Sequence, residues 1–508
     1  MTRPWHFDVL PDDEHNRRLL ENVHPSGWQN PEPADKYNLV VIGAGTAGLI
    51  SAIACAGLGG KAALVERHLM GGDCLNVGCV PSKSLIRSSR LAAEMRHADT
   101  YGLTPAQVKD ADFAAVMERV RHVRADISPH DSARRYTEQG VDVFLGEGRF
   151  SGLDTVDVGG QQLRFKKAVI AAGARAVEPD IQGLSETGFL TNETVFSLTE
   201  RPDHLLVIGG GPIGCELAQA FRRLGSGVTI IQKHQFLPRE DPEASALLAD
   251  VFKREGIKVL LHTKPVRVYA EKGKKHIVVD TPDGRKTVSG EEILIGAGRQ
   301  PNVDGLNLEA GGVEYDPRKG VKVDDFLRTT NPRIFAAGDI CMDWKFTHAA
   351  DAAAQIVLQN ALFFGRKRLS DLTMPWCTYT DPEIAHVGLY AHDAEQQCIE
   401  IDTYKVEMKD VDRALADGEE EGFVKVVTRK GSDKILGATI IAAHAGDMIS
   451  EISTAMAGGL GLGGLAGVIH PYPTQAEAIK RVAGAYRKTR LTPFVTSLFK
   501  KLLAWQRR

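Results

Sequence analysis

Cysteine is scarce in this chain. The seven cysteines in 508 residues are an odd number and too few to staple a protein of this length. That usage suits a reducing compartment, where a close pair is catalytic or metal-binding rather than structural. Excess charge is lacking too: 62 Lys and Arg stand against 65 Asp and Glu, for a net charge of −3. Nothing in that balance suggests a nucleic-acid partner. No run of about 18 apolar residues occurs, so no segment is expected to span a membrane. The opening MTRPWHFDVLPDDEHNRRLL has charges where a signal peptide needs an apolar core. The expectation is a cytoplasmic protein with an ordered or semi-ordered extension over residues 1–36.

Glycine, by contrast, is plentiful at 51 residues, in a chain that is 43% hydrophobic and 25% charged. Such a composition is globular, and the length calls for several domains. The stretch YNLVVIGAGTAGLISAIACAGLGGKAALVE reads strand, glycine turn, helix, strand. Gly43, Gly45 and Gly48 form G-x-G-x-x-G directly after the apolar strand, where the helix N-terminus would face a pyrophosphate. Glu66 closes the second strand, placed to accept hydrogen bonds from ribose hydroxyls. The pattern returns in HLLVIGGGPIGCELAQAFRRLGSGVTIIQ with Gly209, Gly211 and Gly214. The repeat keeps its spacing: Gly43 to Glu66 and Gly209 to Gln232 both span 23 residues. Gln232, followed by Lys233 and Arg239, would accept a 2′-phosphate that an acid repels, which favours NADPH over NADH.

Between the two turns lies GGDCLNVGCVPSK, with Cys74 and Cys79 five apart. Alone, such a pair reads as a metal clamp, a structural staple or a redox switch. Two nucleotide sites around it suggest an electron path, with a flavin at the first site mediating between a hydride donor and a two-electron disulfide. Gly173 and Gly298 end strands in VIAAGARAVEP and LIGAGRQPNVDGL, as if the chain crosses between domains. Gly338 and Asp339, in TTNPRIFAAGDI, precede an Ala-rich helix; an Asp there could hold a ribityl chain.

Together these motifs resemble the flavoprotein disulfide reductases over about residues 37–485. The family includes glutathione reductase, dihydrolipoamide dehydrogenase and mercuric reductase. The resemblance implies that Cys79 is the thiol nearer the flavin and Cys74 the one that attacks substrate. It sets Lys83 beside flavin N5 with Glu216 as its partner, and Lys233 and Arg239 at the NADP 2′-phosphate. A zinc clamp would need a second Cys or His pair at ligand spacing, and none sits nearby.

Members that reduce glutathione disulfide or lipoamide carry H-P-T-x-S-E near the C-terminus, a histidine base oriented by a glutamate five residues on. Here VIHPYPTQAEAIKRV puts Tyr472 five residues before Glu477, while His470 stands two positions too early. A phenol near pKa 10 is a poor proton shuttle at neutral pH. Mercuric reductases resemble this chain in carrying a tyrosine there, because a soft metal ion needs thiolates rather than a proton donor. This chain lacks their C-terminal vicinal cysteines, its last cysteine being Cys398, and has none before Cys55.

The expected fold is α/β, with two Rossmann-like dinucleotide-binding domains, for FAD and NAD(P), and a C-terminal α+β dimerisation domain. The expected boundaries are an FAD domain over 37–185 and 309–371, an inserted NAD(P) domain over 186–308, and a dimerisation domain over 372–485. The implied assembly is a homodimer whose sites are completed by Tyr472 and Glu477 of the other chain, with Hg(II) or another soft ion as acceptor. A disulfide or thiol-reactive substrate is the alternative, with a non-catalytic redox-sensing flavoprotein behind it. Cys55 and Cys215 read as core residues, and no resident metal site is expected. Residues 486–508 form a basic amphipathic tail. Its two readings are weak contact with a membrane surface and, the favoured one, an apolar side covered by the protein itself.

Overall fold

The computed structural model describes residues 9–105 and 111–508; the first eight residues of the predicted extension lie outside that range. The chain divides into two compact units. The first comprises residues 1–97, 105–235 and 255–372, and the second residues 98–104, 236–254 and 373–508.

In the first unit the repeat seen in the sequence becomes two sheets with parallel cores, the first continued by the antiparallel strands Thr155–Val158 and Gly148–Gly152. The apolar strand Tyr37–Ile42 pairs in parallel with Ala62–Glu66 on one side and Gln161–Ile170 on the other. Val141–Leu145 and Ile334–Ala336 extend the sheet at its two ends. Strand order thus reverses beside Tyr37–Ile42, and the glycine turn leaves the carboxyl end of that strand, where open α/β sheets bind ligands. The second sheet repeats the plan: His204–Ile208 lies between Gly227–Ile231 and Glu292–Ile295, all parallel. Buried on both faces, these strands are near-continuous aliphatic runs, as parallel strands require. Leu39, Val40, Val41, Leu205, Leu206 and Val207 are all fully buried. The crossings at Gly173 and Gly298 lead into Ala174–Ala176 and Arg299–Pro301, which pair antiparallel.

The described part of the N-terminal extension is ordered. Its helix Glu14–Val23 is capped by Asp13 and buries Leu19 and Val23. Arg124 donates to Asn16 Oδ1 and, at 2.7 Å, to the carbonyl of Asn76. The extension therefore reaches, through one arginine, the short helix that carries Cys74.

The second unit is built on a five-stranded antiparallel sheet, in the order Pro375–Thr378, Glu383–Gly388, Ile435–Ala442, Phe423–Arg429, Ile401–Glu407. The helices Ala445–Ala457 and Glu477–Thr489 pack into its core. Residues 236–254 follow the second nucleotide repeat in sequence but group with this unit. The reason is a set of buried polar bonds. Glu240 accepts from Trp376 Nε1 at 3.2 Å and Tyr390 OH at 2.8 Å, and Asp241 pairs with Lys425 at 2.8 Å. The terminal helix Pro493–Gln506 forms as its pattern predicts, and within the single chain no residue of it is buried.

Candidate active site

Cys74 lies in the short helix Gly72–Asn76, and Cys79 opens the long helix Cys79–Arg96. The chain doubles back between them at Gly78, where a Cβ would come within 2.7 Å of the Asp73 carbonyl oxygen. Neither cysteine is in a disulfide; Cys74 is half-buried and Cys79 exposed. Their environments are unequal. The hydrogen bond between the two thiols, together with burial, pushes Cys74 up. The same hydrogen bond pulls Cys79 down against burial, with help from the Thr347 hydroxyl and the Lys83 charge, while Glu216 opposes. Thr347 Oγ1 is 3.3 Å from Cys79 Sγ and begins the helix Thr347–Leu362. Cys79 therefore sits at the start of its own helix and close to the start of a second, the setting that lowers thiol pKa values elsewhere.

Lys83 is one turn beyond Cys79, and its Nζ donates to Glu216 Oε2 at 2.9 Å. Glu216, on the helix Pro212–Arg223 that follows the second glycine turn, is buried. This pair ties the second nucleotide repeat to the helix of Cys79. Arg299, next to Gly298, bridges the two motifs on its other side: it bonds Asp73 and lies 3.3 Å from Asp339. Burial works against its charge, but the two carboxylates hold its pKa above the ordinary value. Burial raises the pKa of Asp339, with Arg299 and Lys345 opposing.

Both glycine turns have what a pyrophosphate requires. A Cβ at Gly48 would lie 1.7 Å from the Gly43 carbonyl oxygen, and at Gly214 2.0 Å from that of Gly209. Helix and strand can approach so closely only without side chains. The helices Thr46–Gly57 and Pro212–Arg223 begin at Gly45 and Gly211, and neither has a side-chain cap. Each first turn thus presents its N–H groups with no side-chain acceptor, the arrangement that suits a phosphate. Glu66 is buried and accepts from Ala44 N at 2.6 Å and His68 N at 2.7 Å, so it braces the first turn. Gln232 braces the second, accepting from Gly210 N at 3.0 Å. Lys233, in the first unit, and Arg239, in the second, are both exposed.

In the second unit Tyr472 is 69% exposed, and its hydroxyl donates to Asp412 Oδ2 at 2.9 Å. That bond raises the phenol above its ordinary pKa. Glu477 pairs with Arg481 at 3.2 Å rather than with the tyrosine. His470 turns inward to Glu451 at 2.8 Å. Among the described residues no group of three or more His, Cys, Asp or Glu could hold a metal ion. Sequence reasoning missed Arg299, Thr347 and Asp412. Arg299 adjoins a glycine already singled out, and Thr347 heads an Ala-rich helix, but neither position reveals its partner.

Residues 37–354 match the family model described as pyridine nucleotide-disulphide oxidoreductase, and residues 374–483 match that family's dimerisation domain. The chain belongs to this family. It is an NAD(P)H-dependent flavoprotein oxidoreductase with two nucleotide-binding folds and a dimerisation domain, which supports a homodimer. Members use FAD and NAD(P)H, and the two uncapped turns fit both. The chain is 35% identical to a mercuric reductase of Streptomyces lividans, over 89% of this chain and 96% of the relative. It is 34% identical to one of Bacillus cereus, over 89% and 72%. Dihydrolipoyl dehydrogenase of Bacillus subtilis is also 35% identical, over 87% and 95%. Among solved structures, the Cu(II) complex of the HOCl-induced flavoprotein disulfide reductase RclA from Escherichia coli superposes with a TM-score of 0.79 at 25% identity, over 89% of this chain and all of that one. No helix among the described residues is long and apolar enough to cross a membrane.

Proposed function

We propose that this oxidoreductase reduces Hg(II), or a similarly soft metal ion, with NADPH at the Cys74–Cys79 pair. The observation that carries the reading is a two-thiol centre with one depressed thiol, combined with a tyrosine, Tyr472, where disulfide-reducing members hold histidine. A soft ion needs sulfur ligands and no acid to protonate a leaving thiolate. The similarity to two mercuric reductases supports the assignment.

In this reading Gly43, Gly45, Gly48, Glu66, Gly173, Gly338 and Asp339 hold FAD. Gly209, Gly211, Gly214 and Gly298 hold NADPH, with Lys233 and Arg239 serving its 2′-phosphate. When bound, FAD relays two electrons from the nicotinamide to the cysteine pair. Lys83, fixed by Glu216, keeps a positive charge beside the electron-rich end of that path. Cys79 provides the ready thiolate, and Cys74 meets the acceptor. The sum is NADPH + Hg²⁺ → NADP⁺ + H⁺ + Hg⁰, so two electrons enter and two leave. Tyr472 and Glu477 of one subunit complete the site of the other.

The 35% identity to a dihydrolipoyl dehydrogenase favours a second reading, reduction of a disulfide. The deciding experiment is anaerobic NADPH oxidation by the FAD-loaded protein. It compares Hg(II) in excess thiol with lipoamide and oxidised glutathione, using Cys74→Ala as control. Rapid turnover with mercury that is lost in Cys74→Ala supports the metal reading. Turnover with lipoamide and none with mercury rejects it.

A further inference from the structure

We infer that the helix Pro493–Gln506 docks the protein on an anionic lipid surface. The helix is preformed, with Pro493 at its first turn and the Thr492 hydroxyl accepting from Val495 N at 3.3 Å. Such a start fixes the first turn before any partner is met. At about 100° per residue, Phe494, Leu498, Phe499, Leu502, Leu503 and Trp505 fall within one half of its circumference. Lys500, Lys501, Arg507 and Arg508 fall in the other half. All six apolar side chains are exposed, between 45% and 78%. That is far more apolar surface than a solvated helix ordinarily shows on one side.

Charge selects the occupant. Residues 493–508 contain four Lys or Arg and no Asp or Glu. A second copy of the same helix would bring the same cations and repel. An anionic lipid surface accepts both halves at once, taking the aromatic and leucine side into the acyl boundary while the cations reach the headgroups. A helix of 14 residues is shorter than the roughly 20 needed to cross, so it lies along the surface.

The test uses the FAD-loaded, full-length protein with vesicles of phosphatidylcholine alone or mixed with phosphatidylglycerol. Cosedimentation is expected with the anionic vesicles only, weakening as salt is raised. The double variant Leu498→Glu/Phe499→Glu should abolish it. Lys500→Glu/Lys501→Glu should weaken it by about tenfold or more. Both should keep wild-type NADPH-dependent reduction of the protein, which shows that they fold. A blue shift of tryptophan emission on binding should vanish in Trp505→Phe. Three results would overturn the inference. One is equal binding to neutral vesicles, and another is no binding to either kind. The third is an oligomer larger than a dimer that Leu498→Glu/Phe499→Glu dissolves, because the apolar side would then be covered by another copy.

Discussion

Replacing Thr347 by alanine tests how the site makes a thiolate. The hydroxyl lies 3.3 Å from Cys79 Sγ and is one of the groups that lower its pKa. A hydrogen bond to a charged acceptor contributes about 1.5–3 kcal/mol. Cys79 is exposed, so the low end applies, and about 1.5 kcal/mol corresponds to about one pKa unit. Thr347→Ala should therefore raise the Cys79 pKa by about one unit, and at any pH below both values the thiolate population should fall about tenfold. The assay is the pH dependence of iodoacetamide alkylation, followed at the Cys79 peptide by mass, in a Cys74→Ser background that keeps a hydroxyl donor. Thr347→Ser should behave like the parent. If alanine and serine give the same inflection, or the shift is below about 0.3 unit, the hydroxyl does not stabilise the thiolate and the reasoning fails.

Gly48→Ala would set a Cβ 1.7 Å from a backbone oxygen that cannot move aside. It should cost about 3 kcal/mol of stability and reduce FAD content, read by denaturation and by flavin absorbance after purification. Lys425→Met strands Asp241, whose side chain is only 8% exposed; a loss of about 3 kcal/mol is expected in urea denaturation, with partial recovery in Asp241→Asn/Lys425→Met. Glu240 is buried, and burial raises its pKa above 4.5. Between that value and its folded pKa the native state holds more protons than the unfolded chain, so stability falls there as pH rises. Glu240→Gln should remove that fall, and a wild-type-minus-variant difference in urea stability that stays flat across this range would refute the account.

Much of the first unit was legible because its signals are local. Strand, glycine turn and helix recur, with Glu66 or Gln232 closing each unit 23 positions after its first glycine, and Gly48 and Gly214 have a steric reason to be there. The Lys83–Glu216 contact was reached only through family resemblance, since its members are 133 positions apart. Thr347 is 268 positions from Cys79, and Arg299 is 226 from Asp73. No periodicity carries that information. Residues 236–254 read as part of the nucleotide repeat, yet the bonds that hold Glu240 and Asp241 reach 136 to 184 positions ahead. The tail shows the reverse limit. Its two-sided pattern is plain in the sequence, but whether anything covers the apolar side depends on the rest of the fold.

The two cysteines matter through their inequality, and the fold produces it. Free in water, both thiols would titrate alike. Here the hydrogen bond between the two thiols raises Cys74 and lowers Cys79, burial adds to the rise of Cys74, and the Lys83 charge adds to the fall of Cys79, whereas Thr347 lowers both. A thiolate of low pKa is the better leaving group and the weaker nucleophile. Cys79 is thus the sulfur that more readily holds charge, and Cys74, once deprotonated, the stronger nucleophile. That division serves either acceptor, but the cost differs. A soft ion bound by both sulfurs must displace the proton from Cys74, whose pKa is raised, so binding should release a proton. A disulfide acceptor would instead need a proton delivered to its departing sulfur. Tyr472 is badly placed for that delivery, because its hydroxyl proton is held by Asp412 and its pKa is raised above an already high value. In the proposed reading, the held Tyr472 proton suits an acceptor that asks for none, and the raised Cys74 thiol is the cost of one that takes both sulfurs.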